Sequence, residues 1–199
     1  MNAAPKRGMT GRMTPPLGER GASGAVRSTL RLATPADAVE IEAVHWAGLE
    51  GAYLGRVPGW REEPRVVDDR VRRWTGWLGD PEIDTVVAES HGTIVGFCTL
   101  RACTQPDLDE RPRGEMPTLY VHPEHWRRGY GRKLCLEILR RARDRGFSSV
   151  VLWVMEVNER ARLFYEGIGF RFDGTSQPVT ESKTPLMAHR YSIEIAALE

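Results

Sequence analysis

The chain is most constrained by a strand, a glycine turn and an amphipathic helix that follow one another in its second half. The run Met116–Val121 predicts a short strand, which stops at a His-Pro pair. After Gly131, apolar side chains recur at helical spacing, and a basic last turn followed by Gly146 predicts the end of the helix. Val150–Val154 is a nearly continuous apolar run, typical of a strand buried on both faces. Together they predict a strand–helix–strand unit in an α/β domain.

The turn between this strand and this helix reads Arg127-Arg128-Gly129-Tyr130-Gly131-Arg132. Glycine lets the backbone approach a ligand, and the first turn of a helix offers N–H groups at the positive end of the dipole. The turn therefore suits a phosphate or pyrophosphate, although such a glycine pair can also serve only the bend. It lacks the third glycine of a GxGxxG turn and the ending of a P-loop, which indicates a different phosphate-bearing cofactor.

The rest of the chain shows strand-like and helix-like segments without an internal repeat. In chain order, the further predicted elements are a strand at Val26–Leu32, a helix that starts at Thr34-Pro35 and ends near Tyr53, a second helix at Val66–Leu78, a hairpin of Thr85–Glu89 and Ile94–Leu100, a polar loop at Thr104–Gly114, a short helix at Glu159–Glu166, and strands at Phe170–Phe172 and Met187–Ile195.

The length of 199 residues is enough for one domain that buries its own core. We expect residues 1–25, which are rich in Gly, Pro, Ser, Arg and Ala, to form a flexible tail, and residues 26–199 to form the domain. The 28 basic and 27 acidic side chains nearly cancel, so we expect neither a nucleic-acid nor an anionic-membrane partner. No apolar run reaches the roughly twenty residues that span a bilayer, and we expect a cytoplasmic protein.

The cysteines and histidines are expected to have no catalytic or metal-binding role. Cys98, Cys103 and Cys135 are odd in number and lack CxxC spacing, which favours reduced thiols that pack in the interior. His122 and His125 are three residues apart, but no further ligand cluster completes a metal site. We therefore predict no metal.

Three blocks together are more specific than the turn alone. Leu119–Pro123, Arg127–Gly131 and Asn158–Phe170 resemble motifs A and B of the GNAT superfamily of N-acetyltransferases in order and spacing. The resemblance is close over Glu115–Phe172 and looser over Val26–Arg101. It implies a GNAT-type α/β (α+β) fold, a single domain whose central mixed, mostly antiparallel sheet is flanked by helices. It also implies acetyl-CoA as the cofactor.

The resemblance also assigns roles to individual residues. The pyrophosphate of acetyl-CoA would rest on the amides of Arg127–Arg132, and its pantetheine arm would pair with the strand Leu119-Tyr120-Val121, which would also supply the oxyanion donor. Asn158 would hydrogen-bond the pantetheine. Tyr165 would protonate the departing thiolate, unless it only belongs to the buried face of its helix. Glu115 is the first candidate for the general base, commonly through a water, with a solvated strand-end carboxylate as the alternative.

Other features are left open by the sequence. The family often has Gln or Arg where this chain has Trp126, a change that leaves the backbone amides available. Some aromatic side chains of the first two helices are expected near the acceptor pocket, in the set Trp46, Tyr53, Trp60, Trp74 and Trp77.

The expected reaction moves an acetyl group to a primary amine by direct attack, with a small-molecule acceptor favoured. A protein N-terminal or lysine acetyltransferase is one alternative, and a non-catalytic acyl-CoA-binding sensor is another. A nucleic-acid domain that uses Arg127–Lys133 and Arg140–Arg145 is disfavoured by the balanced charge. The sequence leaves a homodimer open.

Overall fold

The structure of the protein, a computed structural model, describes residues 28–57, 67–105, 107–108, 111–179 and 185–198. The predicted tail at residues 1–25 lies outside them, as do the first two residues of the predicted strand Val26–Leu32. The strands in the described part are β1 Ser28–Leu32, β2 Asp84–Ser90, β3 Thr93–Ala102, β4 Arg113–Glu115, β5 Leu119–Val121, β6 Ser149–Met155, β7 Arg171–Pro178 and β8 Met187–Glu194. The α-helices there are α1 Ala38–Tyr53, α2 Val67–Leu78, α3 Tyr130–Asp144 and α4 Glu159–Ile168.

The strands form one sheet, in the order β1-β2-β3-β4-β6-β8-β7. Among the described strands, only the β4–β6 pair is parallel, and the other pairs are antiparallel. The short strand β5 lies off this path and pairs with β3. The sheet is therefore mixed and mostly antiparallel, which confirms the predicted fold class.

Side chains alternate along each strand, so apolar side chains point to both faces of the sheet. Helices cover both faces. One core cluster packs α3 on the sheet and includes Leu134, Cys135, Ile138, Val86, Cys98, Leu100, Val150 and Leu152. The other packs α1 and α2 on the opposite face and includes Ile41, Val44, Trp74, Val87 and Phe97. Cys98 and Cys135 are buried in the first cluster, as expected for packing residues.

The prediction of one strand at Met116–Val121 is wrong. Only its second half, β5, is a strand, and a separate strand, β4, comes before Met116 and includes two residues that the prediction placed in a loop, Arg113 and Gly114. The strands separate because they follow different neighbours: β4 pairs with β6, whereas β5 continues along β3 with its register shifted by one residue. Pro117, which has no N–H to donate, lies between them.

The other predicted elements agree with the structure apart from their ends. A 3-10 turn at Pro35–Asp37 precedes α1, and the backbone N–H of Thr34 donates to the Asp37 carboxylate at 2.7 Å. The predicted strand Phe170–Phe172 was too short. In the structure, β7 continues to Pro178 through residues that were predicted to form a polar loop. Polar side chains fit there since β7 is an edge strand that is largely exposed.

We predict that Leu134→Ala destabilises the protein by about 2–5 kcal/mol, because removing a fully buried leucine leaves a cavity between α3 and the sheet. Denaturant unfolding measures the effect. Leu136→Ala on the same helix is the control, since Leu136 is 42% exposed and its loss is expected to change the unfolding free energy by less than about 0.5 kcal/mol. Equal effects of the two variants would contradict this packing.

Candidate functional site

One edge of β5 is open. On the other edge, His122 N donates to Val95 O at 2.9 Å and Thr99 N donates to Thr118 O at 3.1 Å. Because strand residues alternate in direction, the N–H and C=O groups of Leu119 and Val121 point away from β3. No described strand pairs with them, since β6 is bonded to β4 instead. This gap between β5 and β6, which we call the wedge, can accept an extended ligand as a further strand.

The wedge opens at a defined point of the sheet. Met116 N still donates to Val151 O of β6, at 2.8 Å, and this is the last bond of the β4 side. Two residues later the hydroxyls of Thr118 and Thr99 are 2.7 Å apart, which holds the following strand on β3. The chain therefore changes partner within the segment Met116–Thr118.

The turn Arg127–Arg132, which we call the cradle, lies between β5 and α3. Arg127 has φ 61° and Gly129 has φ 86°, a backbone conformation that gathers N–H groups into an anion-binding concavity. The first intrahelical bond of α3 runs from Lys133 N to Gly129 O, so the preceding amides of the first turn have no intrahelical acceptor. Arg127, Arg128 and Arg132 are exposed around them. The cradle therefore fits a diphosphate.

Trp126 joins the cradle to the wedge. Its indole Nε1 donates to Val121 O at 2.7 Å, on the open edge of β5. The Arg160 guanidinium lies 3.4 Å from the centre of the same ring. This tryptophan, where the family often has Gln or Arg, therefore still provides a side-chain N–H donor. The stacking of Arg160 was not anticipated from the sequence.

Two glycines bring α1 close to these residues. A Cβ at Gly48 would lie 2.7 Å from Cδ1 of Tyr120, and a Cβ at Gly51 would lie 2.5 Å from Cη2 of Trp126. Any larger side chain would force these rings to move. The last turns of α1 therefore lie directly against β5 and the residue before the cradle.

Asn158 connects α4 with α1. It is the N-cap of α4, where its Oδ1 accepts from Ala161 N at 3.2 Å, and its Nδ2 donates to the Tyr53 hydroxyl at 3.3 Å. Asn158 is buried at the start of α4. Its predicted contact with pantetheine stays a prediction.

Tyr165 lies in the interior between α4 and the sheet. Its ring packs on Phe164 and Phe170, with ring centres 5.2 and 5.6 Å apart. Burial raises the pKa of Tyr165 well above its usual value, and the nearby Cys135 and Cys98 thiols raise it further. The phenol of Tyr165 therefore keeps its proton at neutral pH and has a hydrogen to donate. Tyr165 belongs to the buried helix face and also has the protonation state that its predicted role requires.

Glu115 ends β4 and is 8% exposed, so the alternative of a solvated carboxylate is wrong. Its Oε2 accepts from Nε of Arg101 at 2.8 Å, and Nη2 of the same guanidinium is also 2.8 Å away. The Arg101 guanidinium in turn lies 5.7 Å from the ring centre of Trp77. The Glu115 carboxylate is therefore fixed at the end of β4 by an arginine of β3.

A pocket of about 290 Å³ adjoins the wedge. The side chains that line it come from α1, β5, β6, the end of β7 and β8: Tyr53, Tyr120, Trp153, Met155, Gln177, Pro178, Val179 and Ala188. Tyr53 was among the aromatic residues expected near an acceptor pocket. The contributions of β6, β7 and β8 were missed, because their strand patterns do not show which face meets the pocket.

A buried polar network between α1 and α2 packs against Tyr120. Glu42 accepts from Arg70 Nε at 2.7 Å and from Trp74 Nε1 at 3.0 Å. Burial acts to raise the pKa of Glu42, but hydrogen bonds from His45 and Arg70 outweigh it and lower the pKa to about 2. The His45 ring packs on Tyr120 with centres 4.6 Å apart. The ionised network therefore ties α1 to α2 and positions one wall of the pocket.

Within the described ranges, no three His, Cys, Asp or Glu side chains gather into a metal-binding group. No described helix is both long and apolar enough to cross a membrane.

Known proteins resemble this chain in sequence and in fold. The sequence profile of the Acetyltransferase (GNAT) family matches residues 49–170, more than half of the chain. A mycothiol acetyltransferase of Thermobispora bispora is 39% identical over 42% of this chain. The matched region spans only 28% of the length of that relative. The probable N-acetyltransferase Rv2775 of Mycobacterium tuberculosis is 27% identical, over 81% of this chain and 91% of its own.

The fold is also found in solved structures. The PaiA N-acetyltransferase of Thermoplasma acidophilum, solved in complex with coenzyme A, superposes with a TM-score of 0.63. The match has 18% sequence identity and covers 84% of this chain and 99% of that one.

We predict that Gly131→Ala weakens binding of coenzyme A by roughly tenfold, because a methyl group at the first turn of α3 would hinder the close approach of a ligand to the backbone, at a cost of about 1.4 kcal/mol. A Cβ at Gly131 would point toward Phe164 of α4 and Leu119 of β5, at the edge of the wedge, at ordinary distances of 3.5 and 3.8 Å. Folding should therefore tolerate the change. Calorimetry measures the affinity, and Gly76→Ala, in open space on α2, is the control. Unchanged affinity would contradict the placement of the ligand.

Proposed function

The chain belongs to the Acetyltransferase (GNAT) family, whose cofactor is acetyl-CoA, and on this premise we propose that it transfers the acetyl group to the primary amine of a small molecule. The single observation that carries the proposal is the open edge of β5 directly beside the cradle. The two supply the donors for an extended amide-bearing arm and for a diphosphate on one continuous surface.

The described residues fit acetyl-CoA. The first-turn amides of α3 and the exposed Arg127, Arg128 and Arg132 would hold its diphosphate. The open N–H groups of Leu119 and Val121 and the C=O of Leu119 would be shared between its pantetheine amides and its thioester oxygen, while Val121 O accepts from Trp126. When bound, acetyl-CoA supplies a thioester carbonyl that a neutral amine can attack.

The residues of the chain divide the remaining tasks. The pocket holds the acceptor amine at the wedge, which replaces a bimolecular encounter by a positioned one. A backbone N–H of Leu119 or Val121 donates to the oxygen on which negative charge develops. Tyr165, which burial keeps protonated, gives its proton to the leaving sulfur. Glu115 takes the ammonium proton through a water.

A small-molecule acceptor is supported by the size of the pocket, about 290 Å³, and by its walls, which come from five elements.

The alternatives are a protein N-terminal or lysine acetyltransferase and a non-catalytic acyl-CoA-binding module. A nucleic-acid surface along α3 is disfavoured because Arg140 and Arg141 already pair with Glu137. A cytoplasmic location and a homodimer stay predictions.

The experiment that tests the proposal is thiol release from acetyl-CoA with a broad panel of amines, alongside calorimetry with coenzyme A. Turnover above hydrolysis with small amines supports it. Turnover only with peptides would move the assignment to protein acetylation. Binding of coenzyme A without any turnover would favour the non-catalytic module.

We predict that Tyr165→Phe lowers kcat by roughly 100-fold or more, because a positioned general acid contributes about that factor. The affinity for coenzyme A should stay unchanged, since the ring and its packing are kept. Tyr191→Phe is the matched control, because Tyr191 is also buried and its hydroxyl donates to the exposed Glu166. Normal turnover of a folded Tyr165→Phe enzyme would remove Tyr165 from the reaction.

We predict that Glu115→Gln lowers kcat/KM at neutral pH by roughly 100-fold and removes part of the rise of rate with pH, because an amide cannot accept the ammonium proton. Steady-state rates between pH 6 and 10 measure this. Glu137→Gln, an ion-paired glutamate on α3, serves as the control. A Glu115→Gln enzyme with the full wild-type profile would limit Glu115 to its structural pair with Arg101.

A further inference from the structure

We propose that Tyr120 selects the class of acceptor: its hydroxyl binds an uncharged hydroxyl group on the body of the acceptor, which is therefore an amino alcohol. The inference rests on the proposed function, because it names the kind of amine that this site acetylates. It is carried by the position of one phenol in the wall of the pocket and by the absence of charge from the described part of that wall.

The Tyr120 side chain points to the α1 side of β5, where it lines the pocket. Its neighbours Leu119 and Val121 pack in the core cluster under α3, whereas Tyr120 packs against the cluster under α1 and α2. The phenol oxygen is the atom of this side chain farthest from the β5 backbone, whose open N–H groups serve the thioester oxygen in the proposed reaction. The hydroxyl would therefore meet the body of a bound acceptor and not its attacking nitrogen.

The Tyr120 ring is held from several sides. The His45 ring meets it edge-on with centres 4.6 Å apart, and the Phe97 ring stacks on it with centres 5.8 Å apart. Helix α1 leaves no space beside it, because a Cβ at Gly48 would lie 2.7 Å from Tyr120 Cδ1. A ring fixed in this way presents its hydroxyl oxygen at one place, as a group that selects a substrate must.

The Tyr120 hydroxyl is free to bind a ligand. Within the described residues no hydrogen bond joins it to another group, and the side chain is only partly buried. Burial raises the pKa of Tyr120 above its usual value, and the neighbouring Tyr53 raises it further, so the phenol stays neutral. A neutral phenol both donates and accepts hydrogen bonds, and a hydroxyl group on a ligand can do the same in return.

The described walls of the pocket carry polar groups but no charge. Beside Tyr120 they include the Tyr53 phenol, the Gln177 amide and the Trp153 indole, and no described lining residue is an acid or a base that is ionised at neutral pH. A carboxylate or a second ammonium group would lose hydration there without meeting an opposite charge. An alkyl group would leave the Tyr120 hydroxyl without a partner from the ligand. A hydroxyl group has neither cost.

The test compares amines that differ by a hydroxyl in place of a methyl group: ethanolamine against propylamine, 4-aminobutanol against pentylamine, and trans-4-aminocyclohexanol against trans-4-methylcyclohexylamine. Values of kcat/KM are corrected for the fraction of neutral amine. We expect the hydroxyl member of at least one pair to react better by roughly tenfold, the size of one net hydrogen bond between neutral groups. Equal or faster reaction of all three methyl analogues would overturn the proposal.

Charged analogues separate a hydroxyl site from a site for any polar group. The compounds 4-aminobutanoate and butane-1,4-diamine place a charge near the position of the hydroxyl of 4-aminobutanol. Both should react more slowly than 4-aminobutanol by roughly tenfold, because the walls offer no opposite charge. Equal or faster reaction of either compound would overturn the assignment to an uncharged group.

The variant Tyr120→Phe removes the hydroxyl and keeps the ring, so the ratio of kcat/KM between the members of the preferred pair should fall to about one, through KM of the amino alcohol. Tyr191→Phe, at a buried tyrosine outside the described pocket lining, is the matched control and should keep the wild-type ratio. An unchanged ratio in a folded Tyr120→Phe enzyme would overturn the proposal.

A second variant displaces the hydroxyl without removing it, and it decides the question if Tyr120→Phe does not fold. Gly48→Ala forces a methyl group against the Tyr120 ring, so the same ratio should fall. Gly76→Ala, in open space on α2, is its control and should keep the ratio. Equal ratios in these two alanine variants would contradict a binding role for a hydroxyl held at one place.

Failure of the proposed function would look different. If no amine is acetylated, the proposed reaction falls, and ligand-observed NMR of the three amino alcohols on the protein saturated with coenzyme A decides the inference alone. Binding that is weakened in Tyr120→Phe and kept in Tyr191→Phe supports the hydroxyl site. Binding that Tyr120→Phe leaves unchanged, or no binding to the folded wild-type protein, overturns it.

Discussion

The structure depends on one exchange of hydrogen-bonding partners, in which the chain leaves β6 after Met116 and joins β3 alone from Thr118. A continuous strand would have paired on both sides and left no free backbone groups in the middle of the sheet. The exchange leaves the N–H and C=O groups of Leu119 and Val121 without a strand partner in the described part. Interior backbone groups without partners are costly, so this edge suits a ligand that satisfies them.

The elements that the sequence predicts well depend on local physics. The stripe of Leu134, Cys135, Ile138 and Leu139 specifies an amphipathic α3 whatever it packs against, and all four are buried. Gly129 has the positive φ that a glycine at this turn indicates. The hairpin of β2 and β3 is also local, since its strands are joined by a short turn at His91 and Gly92.

The features that could not be predicted join residues far apart in the chain. The split between β4 and β5 depends on which neighbour each strand follows, and Pro117 marks the break without specifying that neighbour. The pairing of Glu115 with Arg101 requires the β3–β4 register, and it buries the candidate general base, for which the sequence had left a solvated carboxylate as the alternative. The stacking of Arg160 on Trp126 joins residues from different elements. Sequence periodicity reports the face of an element and not its partners.

Trp126 has a consequence for how the two substrates affect each other. One indole donates to the open edge of β5, lies against the last turns of α1, and stacks on the Arg160 guanidinium at the start of α4. A ligand that shifts this ring on either side therefore alters the free energy of binding on the other. Thermodynamic linkage makes such coupling reciprocal, so each substrate must change the dissociation constant of its co-substrate by the same factor.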